Sequence, residues 1–125
     1  MVLIFGGAYQ GKSDFALRTF GLEEKDLFFC TVDNTPDWGA KALCNAEQLF
    51  LQLTKNNVDV VRFLSDNIDK LEDKIITVND VSQGVVPIDS TLRAWREATG
   101  RAMLFLASNS CQVYRVFCGI EERIK

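Results

Sequence analysis

The run Gly6-Gly7-Ala8-Tyr9-Gln10-Gly11-Lys12-Ser13 fits the pattern G-x-x-x-x-G-K-[ST] and follows directly on the apolar run Val2-Leu3-Ile4-Phe5. This order constrains the fold more than anything else in the chain. A buried strand feeds a glycine turn and a helix begins near Lys12, so backbone N–H groups and the positive end of a helix dipole converge on one anion. Gly6 and Gly11 permit positive φ and close backbone approach. In such loops the lysine, here Lys12, reaches the β- and γ-phosphates and the hydroxyl, here Ser13, ligates Mg²⁺. The expected ligand is a nucleoside triphosphate with Mg²⁺, held by Gly6, Gly7, Ala8, Tyr9, Gln10, Gly11, Lys12 and Ser13. Two blander readings stand beside it: a structural glycine turn with an incidental Lys-Ser pair, and a loop that keeps its sequence but turns nothing over.

With 125 residues, 47% of them hydrophobic and 25% charged, the chain has the composition of one soluble globular domain. The expectation is a single phosphate-loop nucleotide-binding domain over residues 1–125. A net charge of −3 argues against a nucleic-acid or anionic-membrane surface, so phosphate binding must arise from a local site and the partner is a small molecule. Cys30, Cys44, Cys111 and Cys118 form no C-x-x-C pair, and there is no histidine to complete a common zinc site. They read as reduced core cysteines. The N-terminal apolar run is too short for a signal-peptide core and nothing approaches a membrane span, so a cytoplasmic location is expected.

Lys12 to Phe20 suits a helix with Phe15, Ala16 and Phe20 on one side and Gly21 as its C′ residue. Leu27 to Val32 reads as a second buried strand, closed by Asp33-Asn34-Thr35-Pro36. Ala40 to Leu53 places Leu43, Ala46, Phe50 and Leu53 near helical spacing, and Asn56-Asn57 ends the run. Val61, Leu64, Ile68 and Leu71 suggest another helix, with a strand over the β-branched Val58–Val61 stretch as the alternative. Ile75 to Asn79 is the third strand, running into Asp80 and the loop Ser82-Gln83-Gly84-Val85-Val86-Pro87. Asp89-Ser90 offers an N-cap for a long helix with Leu92, Trp95, Ala102 and Leu106 inward, and Gln112 to Phe117 is the final strand before a charged tail. Strands alternating with helices predict an α/β, P-loop NTPase-like fold with a mostly parallel sheet and helices on both faces.

Three blocks of the sequence resemble the adenosylcobinamide kinase/adenosylcobinamide-phosphate guanylyltransferases of cobalamin biosynthesis. The family loop G-G-A-R-S-G-K-S corresponds to Gly6 through Ser13, with Tyr9 and Gln10 in place of Arg-Ser. The family run N-E-V-G-x-G-I-V-P is similar to Asn79 through Pro87, with Asp80 where the family has Glu. The stretch from Leu92 to Arg101, with the closing Val116-Phe117-Cys118-Gly119-Ile120, resembles the family's last helix and strand. The resemblance implies a nucleotide-binding core, adenosylcobinamide as acceptor and, from the family's trimeric habit, a homo-oligomer. Two departures stand out. The segment carrying the family's guanylylated histidine has no counterpart in a chain without histidine, and the family's Asn-Gln pair is replaced by Met103-Leu104. The resemblance thus implies the kinase half and argues against the guanylyltransferase half.

Phosphoryl transfer needs the triphosphate cradled, the metal held and the acceptor hydroxyl placed in line. Lys12, Asp80 and Asp33 are the candidate catalytic residues, and Ser13 with Asp80 the candidate metal ligands. Asp80 ends an apparent strand, where open α/β sheets gather ligands, and matches the family's acidic position; a solvated strand-end cap is the alternative. Asp33 ends the second strand in the same way, equally readable as a turn residue before Pro36. Arg93, Arg96 and Arg101 read individually as helix-surface residues, Trp95 as core, and Tyr9 and Trp38 as either stacking or merely exposed rings. The Gly84 loop reads as a turn or a substrate rim. Three functions follow: a cobinamide kinase, a non-catalytic nucleotide-binding paralogue acting as regulator or partner subunit, and a small-molecule kinase outside cobalamin metabolism.

Overall fold

β1 (Val2–Gly6) forms as expected and becomes the third-from-last strand of a six-stranded sheet in the order β2-β3-β4-β1-β5-β6. The other strands are β2 (Leu27–Phe29), β3 (Ala42–Cys44), β4 (Ile75–Asn79), β5 (Gln112–Phe117) and β6 (Ile120–Arg123). The computed structural model describes residues 1–81 and 88–125, so the predicted Ser82–Pro87 loop lies outside the described residues. β1 pairs in parallel with β4 on one side and β5 on the other, while β2, β3 and β4 continue the parallel run. β6 alone is antiparallel.

Helices cover both faces, as expected. On one face α1 (Lys12–Phe20) sets Phe15 and Ala16 against Ile4, Ala42, Cys44, Ile75 and Val116. On the other, α2 (Ala46–Lys55), α3 (Val60–Asp66), α4 (Ile68–Leu71) and α5 (Ser90–Asn109) close over Leu3, Leu43, Ile76, Val78 and Val113. Burial of each large aliphatic or aromatic side chain contributes roughly 1.5–3 kcal/mol, so these two layers hold the β1–β4–β5 centre rigid. Gly21, at φ 64°, closes α1 through its N–H to the Leu17 carbonyl. Asp59 and Asp89 cap α3 and α5 by accepting from the N–H groups of Arg62 and Leu92.

Several elements differ from the sequence reading. Ala40–Leu53 is not one helix: Ala42–Cys44 is a fully buried strand between β2 and β4, and α2 starts only after Asn45 turns left-handed at φ 58°. Pairing with two neighbours outweighs the helical spacing. β2 stops at Phe29 and is only half-buried because it is the sheet edge. Val61–Leu71 is helical but broken at Asn67 into α3 and α4. The charged tail is strand β6, reached through a two-residue turn with both Cys118 and Gly119 at positive φ, the geometry that matches strand twist. Cys30 and Cys44 are buried as expected, but Cys111 and Cys118 are exposed, because each sits at the rim of β5 rather than in its interior. On α5 the inward stripe is Trp95, Ala98, Ala102 and Leu106, whereas Leu92 lies on the exposed first turn. Among the described residues no helix is long and apolar enough to cross a membrane.

Candidate functional site: a glycine loop between two cavities

The site begins where β1 ends. A side chain at Gly6 would bring its Cβ within 2.3 Å of the Val116 carbonyl oxygen, so the loop leaves the sheet through a gap only glycine fits. Tyr9 (φ 59°) and Gly11 (φ 92°) then take left-handed conformations, and the Gly11 carbonyl accepts from the Phe15 N–H at 3.0 Å to start α1. Gln10 pins the loop to the β5–β6 turn. Its carbonyl accepts from the Gly119 N–H at 2.9 Å, and its side-chain oxygen accepts from the Cys118 N–H at 2.6 Å. The loop therefore wraps the N-terminus of α1 and lines a cavity of about 490 Å³ with Phe29, Asn45 and Asn79. Tyr9 lines it too, with its ring fully exposed.

Lys12 is 5% exposed, and its Nζ donates to the Gly7 carbonyl at 2.5 Å. Burial pulls its pKa below the ordinary lysine value, and the negative charge of Glu47 opposes that shift. Glu47, only 1% exposed, was not foreseen from the sequence. Its carboxylate accepts from the Asn79 backbone N–H at 2.8 Å and from the Asn79 side-chain amide at 3.3 Å. Its carbonyl accepts from the Trp95 indole N–H at 2.8 Å, so Trp95 is both packed and hydrogen-bonded. Burial pushes the Glu47 pKa above the usual carboxylate range, with these hydrogen bonds and Lys12 pulling the other way. Asn45 donates its N–H to the Thr77 hydroxyl at 3.1 Å. A strand break at Asn45 would have been the signal for this corner.

Asp80 follows β4 and donates its N–H to the Gly6 carbonyl at 2.9 Å. It lines not the Lys12–Ser13 cavity but its neighbour, a space of about 140 Å³ that shares Gln10 with the first and is also lined by Phe5, Gly6, Gly7 and Arg115. Asp33 is exposed in the turn after β2, lines neither cavity and donates its N–H to the Thr31 hydroxyl at 3.3 Å. The Gln52 amide holds that turn by donating to the Val32 and Asn34 carbonyls. Arg93 and Arg101 are exposed on α5, with Arg96 half-buried beside them.

Magnesium is bound through one or two carboxylates plus phosphate oxygens and keeps several waters. Among the described residues no three acidic, cysteine or histidine side chains gather into a metal cluster. The lining around Ser13 offers the Asp14 carboxylate and the amides of Asn45 and Asn79, and the nearby Glu47 carboxylate is buried on Asn79. This donor set fits an ion that arrives on the triphosphate and adds the Ser13 hydroxyl.

A mostly parallel sheet with helices on both faces, whose first strand runs through a glycine loop into a helix, defines an α/β protein of the P-loop NTPase-like class. The family model for cobinamide kinase / cobinamide phosphate guanyltransferase matches residues 23–124, and the chain belongs to that family. No curated protein matches the sequence. Membership bears out the family resemblance, whose second and third blocks lie within the matched residues, and supports a role in cobalamin biosynthesis. The match begins beyond Ser13, so the loop geometry is an observation independent of it.

Proposed function

We propose that the chain binds a purine nucleoside triphosphate at Gly6–Ser13 and transfers its γ-phosphoryl group to the hydroxyl of a cobinamide-type alcohol. The observation that carries this reading is Lys12, buried at the start of α1 and resting on the Gly7 carbonyl with Ser13 beside it. A phosphate entering the loop replaces one neutral acceptor by charged oxygens, a hydrogen bond roughly twice as strong. The loop N–H groups and the α1 dipole add to it. Ser13 would hold the Mg²⁺ that accompanies the nucleotide, an ion that neutralises charge building on the β- and γ-oxygens. Asp80, beyond Gln10, serves the acceptor: it orients the hydroxyl and takes its proton as the acceptor oxygen bonds to phosphorus and the bond to the β–γ bridging oxygen breaks. Guanylyl transfer through a histidine adduct is closed to a chain without histidine.

A second reading, a nucleotide-binding subunit without turnover, draws on one observation: Asp80, the acidic residue proposed for the acceptor, lines the neighbouring cavity and not the one that holds Lys12 and Ser13. Incubation with γ-labelled GTP or ATP and adenosylcobinamide separates the two. Label on the corrinoid is expected. Nucleotide binding with no transferred label would establish the second reading instead.

A further inference from the structure

Asn79, the last residue of β4, stands half-buried between two environments. Behind it is Glu47, whose carboxylate accepts from the Asn79 backbone N–H at 2.8 Å and from its side-chain Nδ2 at 3.3 Å. In front of it is the cavity that Asn79 lines with Lys12, Ser13 and Asn45. A carboxylate has only acceptors, so the amide turns its NH₂ to Glu47 and its oxygen, Oδ1, away from it toward the cavity. Among the described residues nothing donates to that oxygen. Two hydrogen bonds to one buried carboxylate therefore fix not only where the Asn79 side chain sits but which polarity it shows the ligand.

That polarity is the opposite of what bare phosphate needs. Phosphate oxygens only accept, and Lys12, Ser13 and the loop N–H groups supply their donors. A fixed carbonyl oxygen facing them is repulsive unless a cation or its water stands between, and carbonyl oxygen and water suit magnesium. Asp14, the carboxylate on the same wall, is exposed in the first turn of α1. We propose that Asn79 Oδ1, together with the Ser13 hydroxyl, holds the Mg²⁺ that arrives on the triphosphate, directly or through a water, and that Glu47 is the positioning residue that aims it. The proposal rests on the triphosphate reading above. It gives a buried carboxylate beneath a phosphate site a reason to be there: Glu47 meets no ligand and sets the direction of a neighbouring amide. Its charge also bears on Lys12, and a direct effect on the lysine is the alternative.

Calorimetric affinities for GTP and ATP, each measured with Mg²⁺ and again in excess EDTA, give a metal preference as the ratio of the two. Asn79→Ala and Glu47→Gln are each expected to lower that preference about tenfold, the cost of losing a group that holds or orients a metal's shell, with the EDTA affinity within about threefold of wild type. Glu47→Gln acts by turning an NH₂ on the Asn79 amide, which swings its own NH₂ into the cavity. In the Asn79→Ala background Glu47→Gln should lower the preference no further. Asn79→Ala leaves the backbone bond to Glu47 in place and carries the test if Glu47→Gln fails to fold. An unchanged preference in Asn79→Ala overturns the proposal, as does a wild type that binds nucleotide equally with and without metal. A further fall in the double variant gives Glu47 a direct effect on Lys12 and overturns its role through Asn79. A wild type that binds neither nucleotide under either condition removes the triphosphate reading, and this proposal with it.

Discussion

The two sides of the cavity beside Lys12 and Ser13 are built in opposite ways. On one side, Gly6–Ser13 makes its geometry locally: glycine at Gly6 and Gly11, a left-handed Tyr9, and a lysine folded onto a carbonyl five residues back. On the other, Asn45, Glu47 and Asn79 come from the end of β3, the first turn of α2 and the end of β4, and meet only because β3 and β4 are neighbours. The first is a motif and the second a product of the fold. A local motif survives changes elsewhere, whereas the corner around Glu47 depends on three elements keeping their places.

That contrast can be broken by substitution, and the largest effect is expected where the local motif touches the sheet. Gly6→Ala drives a methyl group into the Val116 backbone carbonyl, which cannot move without breaking β1–β5 pairing. A loss of about 3 kcal/mol is expected, read as a fall in the urea midpoint. A variant as stable as wild type would mean that the loop and β5 are not in contact. Next is Asp80→Asn, which should lower phosphate transfer about a hundredfold, with nucleotide affinity measured calorimetrically within about twofold. Equal losses in both would move Asp80 from the acceptor to the nucleotide.

Glu47→Gln probes the other side. The amide keeps one acceptor for Asn79 but turns a donor on the Asn79 side-chain amide, at a cost of about 2 kcal/mol. The pH dependence follows from burial, which raises the Glu47 pKa. The native state then holds the Glu47 proton more tightly than the unfolded chain, so this contribution is full below the ordinary carboxylate pKa and is lost as pH rises through the raised native one. The advantage of wild type over Glu47→Gln should accordingly shrink from acid towards neutral pH in parallel denaturation curves. An advantage that grows with pH would show Glu47 stabilised as an anion by Lys12. Trp95→Phe, which removes the indole hydrogen bond to the Glu47 carbonyl and trims a half-buried ring packed on the core, should cost the least, about 1 kcal/mol in the same assay.

What was legible in the sequence follows the same division. α1 was readable to the residue and β1 to within one, because an apolar run, two glycines and a C′ glycine are all local signals. β4, the α5 cap at Asp89 and β5 were readable for similar reasons. β3 was hidden because Leu43, Ala46, Phe50 and Leu53 happen to keep helical spacing across the strand, the left-handed Asn45 and the helix. With the break at Asn45 unseen, nothing in the sequence singled out Glu47, though it is among the most buried of the described residues. β6 was missed because Ile120-Glu121-Glu122-Arg123 carries three charges and pairs on one side only.

The central claim is that Gly6–Ser13 is a working triphosphate site, and calorimetric titration of wild type and Lys12→Ala with GTP and ATP addresses it most directly. Among the described residues the Lys12 ammonium donates one hydrogen bond, to the Gly7 carbonyl of its own loop, so the variant should fold. Loss of a charge-assisted contact of about 1.5–3 kcal/mol predicts binding weaker by tenfold or more. Equal affinity in the two proteins, or no binding by either, would contradict the account.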